Sequence, residues 1–83
     1  MPRLPRVKAS EVISVLESLG FVRVRQRGSH VILKKQIVSE GEDKKIIEVG
    51  CVVPLHNQTL AVGTLRSILN QAGVSVEEFL DNL

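Results

Sequence analysis

The stretch FVRVRQRGSHVILK, residues 21–34, decides the fold of this chain. Apolar and polar residues alternate from Phe21 to Gln26 and again from Ser29 to Lys34, as they do in strands with one buried face. Arg27-Gly28 lies between the two segments, and glycine readily adopts the positive φ that a tight turn requires. The stretch therefore predicts an antiparallel β-hairpin.

A two-residue loop at Arg27-Gly28 determines which residues of the two strands lie opposite each other. The pairs under this register are Gln26–Ser29, Arg25–His30, Val24–Val31, Arg23–Ile32 and Val22–Leu33. The three valines and the leucine then share one face, which we expect to be covered, and a slip of one residue would break this agreement. We expect the opposite face to be open to solvent and to carry Arg23, Arg25, His30 and Lys34.

Helical and strand patterns flank the hairpin on both sides. They predict a helix over Lys8–Leu19 that ends at Gly20, a third strand over Ile46–Pro54, and a second helix over Gly63–Ala72. Ser75 and Glu78 form a capping-box pattern that begins a short last helix. The order α-β-β-β-α predicts an α+β fold in which a three-stranded antiparallel sheet carries the helices on one face. At 83 residues the chain, 1–83, is expected to form a single domain.

Charge and composition restrict the functional classes. Residues 1–36 contain eight basic and two acidic residues, whereas residues 37–83 contain three basic and seven acidic ones. A basic half is typical of a phosphate-binding surface, but also of an ordinary solvated one. The single Cys51 excludes an internal disulfide, and neither a signal peptide nor a membrane-spanning segment is recognisable. We therefore expect a cytoplasmic protein with no membrane partner.

His30 is the residue that best fits a chemical role. Histidine gains or loses a proton near neutral pH, and RNA carries its own nucleophile, the 2′-hydroxyl, beside each phosphate. One proton transfer by His30 and phosphate binding by neighbouring basic residues would suit RNA cleavage, although a surface histidine without a role fits the pattern equally well. His56 is a second candidate, and its alternative is a plain loop histidine. No metal-ligand spacing and no nucleotide-binding glycine loop is present, so neither a metal nor another cofactor is expected.

Four motifs in order carry a family resemblance. They are Leu19-Gly20-Phe21 with Arg27-Gly28-Ser29-His30, then Val53-Pro54-Leu55-His56, then Gly63-Thr64-Leu65-Arg66-Ser67-Ile68-Leu69, and finally Gln71-Ala72-Gly73-Val74-Ser75 leading into Glu78-Phe79. Across Lys8–Leu80 the chain resembles the HicA toxin family. The resemblance implies a double-stranded-RNA-binding-domain-like fold and a metal-independent mRNA interferase, an endoribonuclease that blocks translation, with His30 as its catalytic residue. It also implies a HicB-like antitoxin that masks the site.

Several residues around His30 are expected to contact the mRNA. The predicted RNA-binding residues are Arg23, Arg25, Arg27, Ser29 and Lys34, with Gly28 and His56 as secondary site residues. Lys34 and His56 are also the candidates for a second proton-transfer group. Two other functions fit the same residues: a non-catalytic RNA-binding module, and a protein-interaction domain whose basic sheet face binds an acidic partner.

Overall fold

The computed structural model describes residues 3–55 and 59–83 and has the element order α-β-β-β-α-α. The elements are α1 (Ala9–Ser18), β1 (Val22–Arg27), β2 (His30–Val38), β3 (Ile46–Pro54), α2 (Val62–Ala72) and α3 (Val76–Asp81). The strands form one antiparallel sheet in the order β1-β2-β3. The predicted fold class, the hairpin and the bounds of the third strand are therefore confirmed.

Local side-chain and backbone chemistry sets the helix ends where the sequence predicts them. The backbone N–H of Lys8 donates to the Glu11 carboxylate at 3.0 Å and closes the start of α1. Gly73 adopts φ +69° and ends α2 in the left-handed conformation that glycine tolerates best. The Ser75 hydroxyl accepts from the Glu78 backbone N–H at 3.1 Å, so the predicted cap of α3 is confirmed.

The core lies between one face of the sheet and the helices. Val31 and Leu33 of β2 and Cys51 and Val53 of β3 are buried and alternate with exposed or half-buried neighbours. Their partners from the helices are all aliphatic or aromatic: Val12, Ile13, Val15, Leu16, Leu65, Ile68, Leu69 and Phe79. The smallest dimension of the molecule, 18 Å, fits one sheet and one layer of helices. None of the helices in the described ranges is long and apolar enough to cross a bilayer.

The register of the hairpin differs from the predicted one. Arg27 pairs with His30, so the loop residues are Gly28 and Ser29 rather than Arg27 and Gly28. Gly28 takes φ +55°, which places the glycine at the first loop position, as a type II′ hairpin turn requires. A type I′ turn at Arg27-Gly28 would need a positive φ at Arg27 as well, whereas the observed loop needs it only at Gly28.

A β-bulge at Val24 completes the change of register. Arg23 pairs with Leu33 and Arg25 pairs with Ile32, so Val24 is the extra residue between two pairs. Val22 and Val24 are 62% and 51% exposed, and the prediction that helices cover them is wrong.

The same shift moves Arg23 to the helix side of the sheet, where its guanidinium lies 3.5 Å from the Glu17 carboxylate of α1. The predicted position of Arg23 on the open face is therefore also wrong. The helix side of β1 can hold a charged side chain because β1 is an edge strand at the margin of the helical layer. None of its residues is buried.

Candidate functional site

His30 is the first residue of the central strand and lies exposed on the open face of the sheet. Its neighbour Val31 is buried under the helices, and successive side chains of a strand point to opposite faces. Arg27 of β1 and Pro54 of β3 pair with His30 from either side. The imidazole therefore stands in the middle of a three-strand row with a cation as its direct neighbour.

Arg25 is the second cation near His30, in a different position from the predicted one. It pairs with Ile32, which puts it on the open face one row further along the sheet and diagonal to His30. Diagonal partners in an antiparallel sheet have backbones about 7–8 Å apart, still within reach of a long side chain. The predicted direct pair of Arg25 with His30 is wrong, yet both arginines flank the histidine and are exposed.

The turn before His30 is held from both sides. The Gln26 side-chain amide donates to the Gly28 carbonyl at 3.1 Å, and the Leu55 backbone N–H donates to the Ser29 carbonyl. The second bond ties the turn to the end of β3. Through these bonds the backbone of Gly28 and Ser29 fixes the position of His30. The alternation pattern of the sequence contained no signal for the contributions of Gln26 and Leu55.

Lys34 lies on the same face as His30 but is directed away from it. Its ammonium lies 3.0 Å from the Glu48 carboxylate, and Glu48 pairs with Gln36, two residues further from the histidine. Lys34 lies four positions along the strand from His30, a backbone distance of about 13 Å. The structure thus brings together His30, Arg25 and Arg27, and does not bring Lys34 or Arg23 to them. His56, the other predicted site residue, lies outside the described residues.

The described residues also include one thiol and several carboxylates. Cys51 is buried on the helix side of β3, the face opposite to His30, and this burial raises the pKa of its thiol to about 11. A thiol so held is protonated at neutral pH and is a poor nucleophile. In the ranges 3–55 and 59–83, no three His, Cys, Asp or Glu residues are grouped as a metal site requires.

The open end of the sheet therefore combines a proton-transfer group with two cations. A phosphodiester placed over the His30 row would meet the guanidinium groups of Arg27 and Arg25, which bind phosphate oxygens with charged hydrogen bonds. The imidazole would stand beside the same phosphate and could exchange a proton with an oxygen of the ribose. Both glutamates that form ion pairs with the basic residues of these strands, Glu17 and Glu48, lie away from this row.

Comparison with known proteins identifies the family of this chain. A protein-family model described as the HicA toxin of bacterial toxin–antitoxin systems matches residues 9–74, which contain all three strands, α1 and α2. A comparison with curated proteins gave no significant match. Because the family match covers well over half of the chain, the protein belongs to the HicA toxin family, a family of ribonucleases that act on mRNA as the toxins of toxin–antitoxin systems.

Proposed function

We propose that His30 is the catalytic residue with which this HicA-family protein cleaves mRNA, and that the reaction needs no metal ion. The observation that carries the proposal is the position of His30, exposed on the open sheet face directly opposite Arg27. Arg25 and Arg27 supply the phosphate contacts, and the backbone of Gly28 and Ser29 holds the histidine in place. Arg23 and Lys34 contribute less, because each is engaged with a glutamate elsewhere.

The chemistry follows from the groups at the site. A base removes the proton of the 2′-hydroxyl, and the resulting oxygen attacks the adjacent phosphorus. The bond from phosphorus to the 5′-oxygen breaks, that oxygen takes a proton, and a 2′,3′-cyclic phosphate remains. His30 performs one of the two proton transfers, while the arginines stabilise the negative charge that builds up on the phosphate oxygens. His56 is the remaining sequence candidate for the other transfer.

Membership of a toxin–antitoxin family implies an antitoxin partner. We infer that this partner is HicB-like and that it inhibits the toxin by covering His30 and its two arginines. An acidic antitoxin surface would complement the exposed guanidinium groups of Arg25 and Arg27. We also infer that the toxin acts in the cytoplasm, where its mRNA substrate is translated.

The proposal is tested by incubating the wild type and His30→Ala with single-stranded RNA in the presence of EDTA. We expect the wild type to cleave and the variant to lose most of its activity while keeping its RNA affinity and its circular dichroism spectrum. Equal cleavage by both proteins would contradict the role of His30. Binding without cleavage by both would favour a non-catalytic RNA-binding module, and no binding at any salt concentration would favour a protein-interaction domain.

A further inference from the structure

A half-open groove with a volume of about 410 Å³ lies on the open face of the sheet, away from the His30 row. Val22 and Val24 of β1 give it an apolar side, and its other lining residues are Gly20, Lys34, Lys35, Gln36 and Glu48. The function assigned to His30 and its arginines leaves this groove unused. Its size and mixed lining resemble those of a small-ligand site more than those of a flat sheet surface.

The apolar side of the groove is a consequence of the bulge at Val24. Counted from the turn without the extra residue, Val22 and Val24 would both lie on the helix side of the sheet, whereas the bulge puts Val22 opposite Lys34 on the open face. Both side chains are more than half exposed and together form a small apolar patch on the sheet surface. The bulge thus presents two adjacent branched side chains to whatever lies on the sheet.

The charge of the groove differs from the charge at the His30 row. Lys34 and Glu48 form an ion pair at 3.0 Å, and Lys35, whose ammonium lies 5.8 Å from the centre of the Phe21 ring, leaves the lining with a single net positive charge. The two arginines beside His30 pair with neutral residues on β2 or with the histidine itself. The open face therefore has a cationic end that suits a phosphate and a less charged, partly apolar end at the groove.

We propose that this groove binds the base of a nucleotide in single-stranded RNA that lies beyond the two nucleosides joined by the cleaved phosphate. The inference rests on the proposed function of His30. Valine side chains offer an apolar surface to the face of the base, and the Gln36 amide can both donate to and accept from its edge. About 13 Å of strand separates His30 from Lys34, so a short single-stranded segment can reach both sites along one face.

The test compares the wild type with the double variant Val22→Ser/Val24→Ser. Two substrates are used: a single-stranded RNA decanucleotide, and a dinucleotide that contains only the cleaved phosphate. We expect the ratio of kcat/KM on the decanucleotide to kcat/KM on the dinucleotide to fall about five- to tenfold in the double variant. Ile47→Ser is the matched control, because Ile47 is 51% exposed on the helix side of β3 and does not line the groove.

The outcomes separate the two hypotheses. An unchanged ratio in the double variant, with an active wild type, would overturn the groove as a nucleotide subsite and leave the role of His30 intact. An equal fall of the ratio in Ile47→Ser would overturn it as well, because the loss would not be specific to the groove. Failure of the wild type to cleave either substrate would contradict the proposed function and the inference together. Thermal melting of all three proteins verifies that they are folded.

Discussion

Arg27 and Arg23 lie on the same strand and carry the same charge, yet the structure gives them opposite surroundings. Arg27 pairs with His30 on the open face, whereas Arg23 lies on the helix side near Glu17 of α1. We therefore expect Arg27→Ala to damage RNA cleavage and Arg23→Ala to leave it nearly unchanged. The predicted register, which placed Arg23 on the open face, would make both arginines RNA contacts.

The expected magnitudes follow from the contacts of each side chain. A hydrogen bond between a guanidinium and a phosphate contributes about 1.5–3 kcal/mol, so Arg27→Ala should lower kcat/KM about 10- to 150-fold. Arg23 is about half exposed and lies 3.5 Å from its glutamate, and such a pair contributes at most about 1 kcal/mol to stability. Arg23→Ala should therefore change cleavage by less than about twofold.

The assay is cleavage of single-stranded RNA in EDTA, with binding measured as a function of salt on the inactive His30→Ala background. Loss of one phosphate contact lowers the slope of log Kobs against log salt concentration by about 0.7 for single strands. We expect this change for Arg27→Ala and no change for Arg23→Ala. Equal losses of activity in the two variants, or a greater loss in Arg23→Ala, would refute the register and the site built on it.

Two further predictions concern the body of the fold. Ser75→Ala removes the side-chain cap of α3 and should cost about 1 kcal/mol, which lowers Tm by about 4–8 °C, whereas Ser67→Ala on an exposed position of α2 should not lower it. Because the Cys51 pKa is raised from 9.0 to about 11, the thiolate fraction at pH 8 should be about 100-fold lower in the folded chain, and iodoacetamide labelling at least that much slower than in urea. Equal labelling rates in water and in urea would contradict the burial of the thiol. The raised pKa also means that this thiol does not affect the free energy of unfolding below pH 9 and lowers it as the pH rises from 9 towards 11.

The sequence predicted most of the local structure because the signals for it are local. Helix ends depend on residues within one turn of each other, and Gly73 and the Ser75–Glu78 pair form the caps expected of them. The alternation of Val31 and Leu33 predicted their burial correctly, since β2 is the central strand and the helices cover it. The exposure of His30 followed from the same alternation.

The partners of β1 could not be predicted in the same way. Val22 and Val24 alternate with polar residues as regularly as Val31 and Leu33 do, but the bulge puts them on the open face of the sheet, opposite to the helices. Alternation identifies which residues share a face, and only packing decides whether that face is buried. The bulge is also a tertiary result, whereas the Gly28-Ser29 loop follows from local turn chemistry, because a type II′ turn needs a positive φ only at its first position.

By itself, then, the sequence determined the element order, the helix caps, the exposed position of His30 and, through its motifs, the resemblance to the HicA toxin family. The tertiary structure alone decided that Arg23 and Lys34 are engaged with glutamates and that two valines form one side of a groove. The physical reason is that strand register depends on the turn and on the covering helices together, and these act across the sheet rather than along the chain.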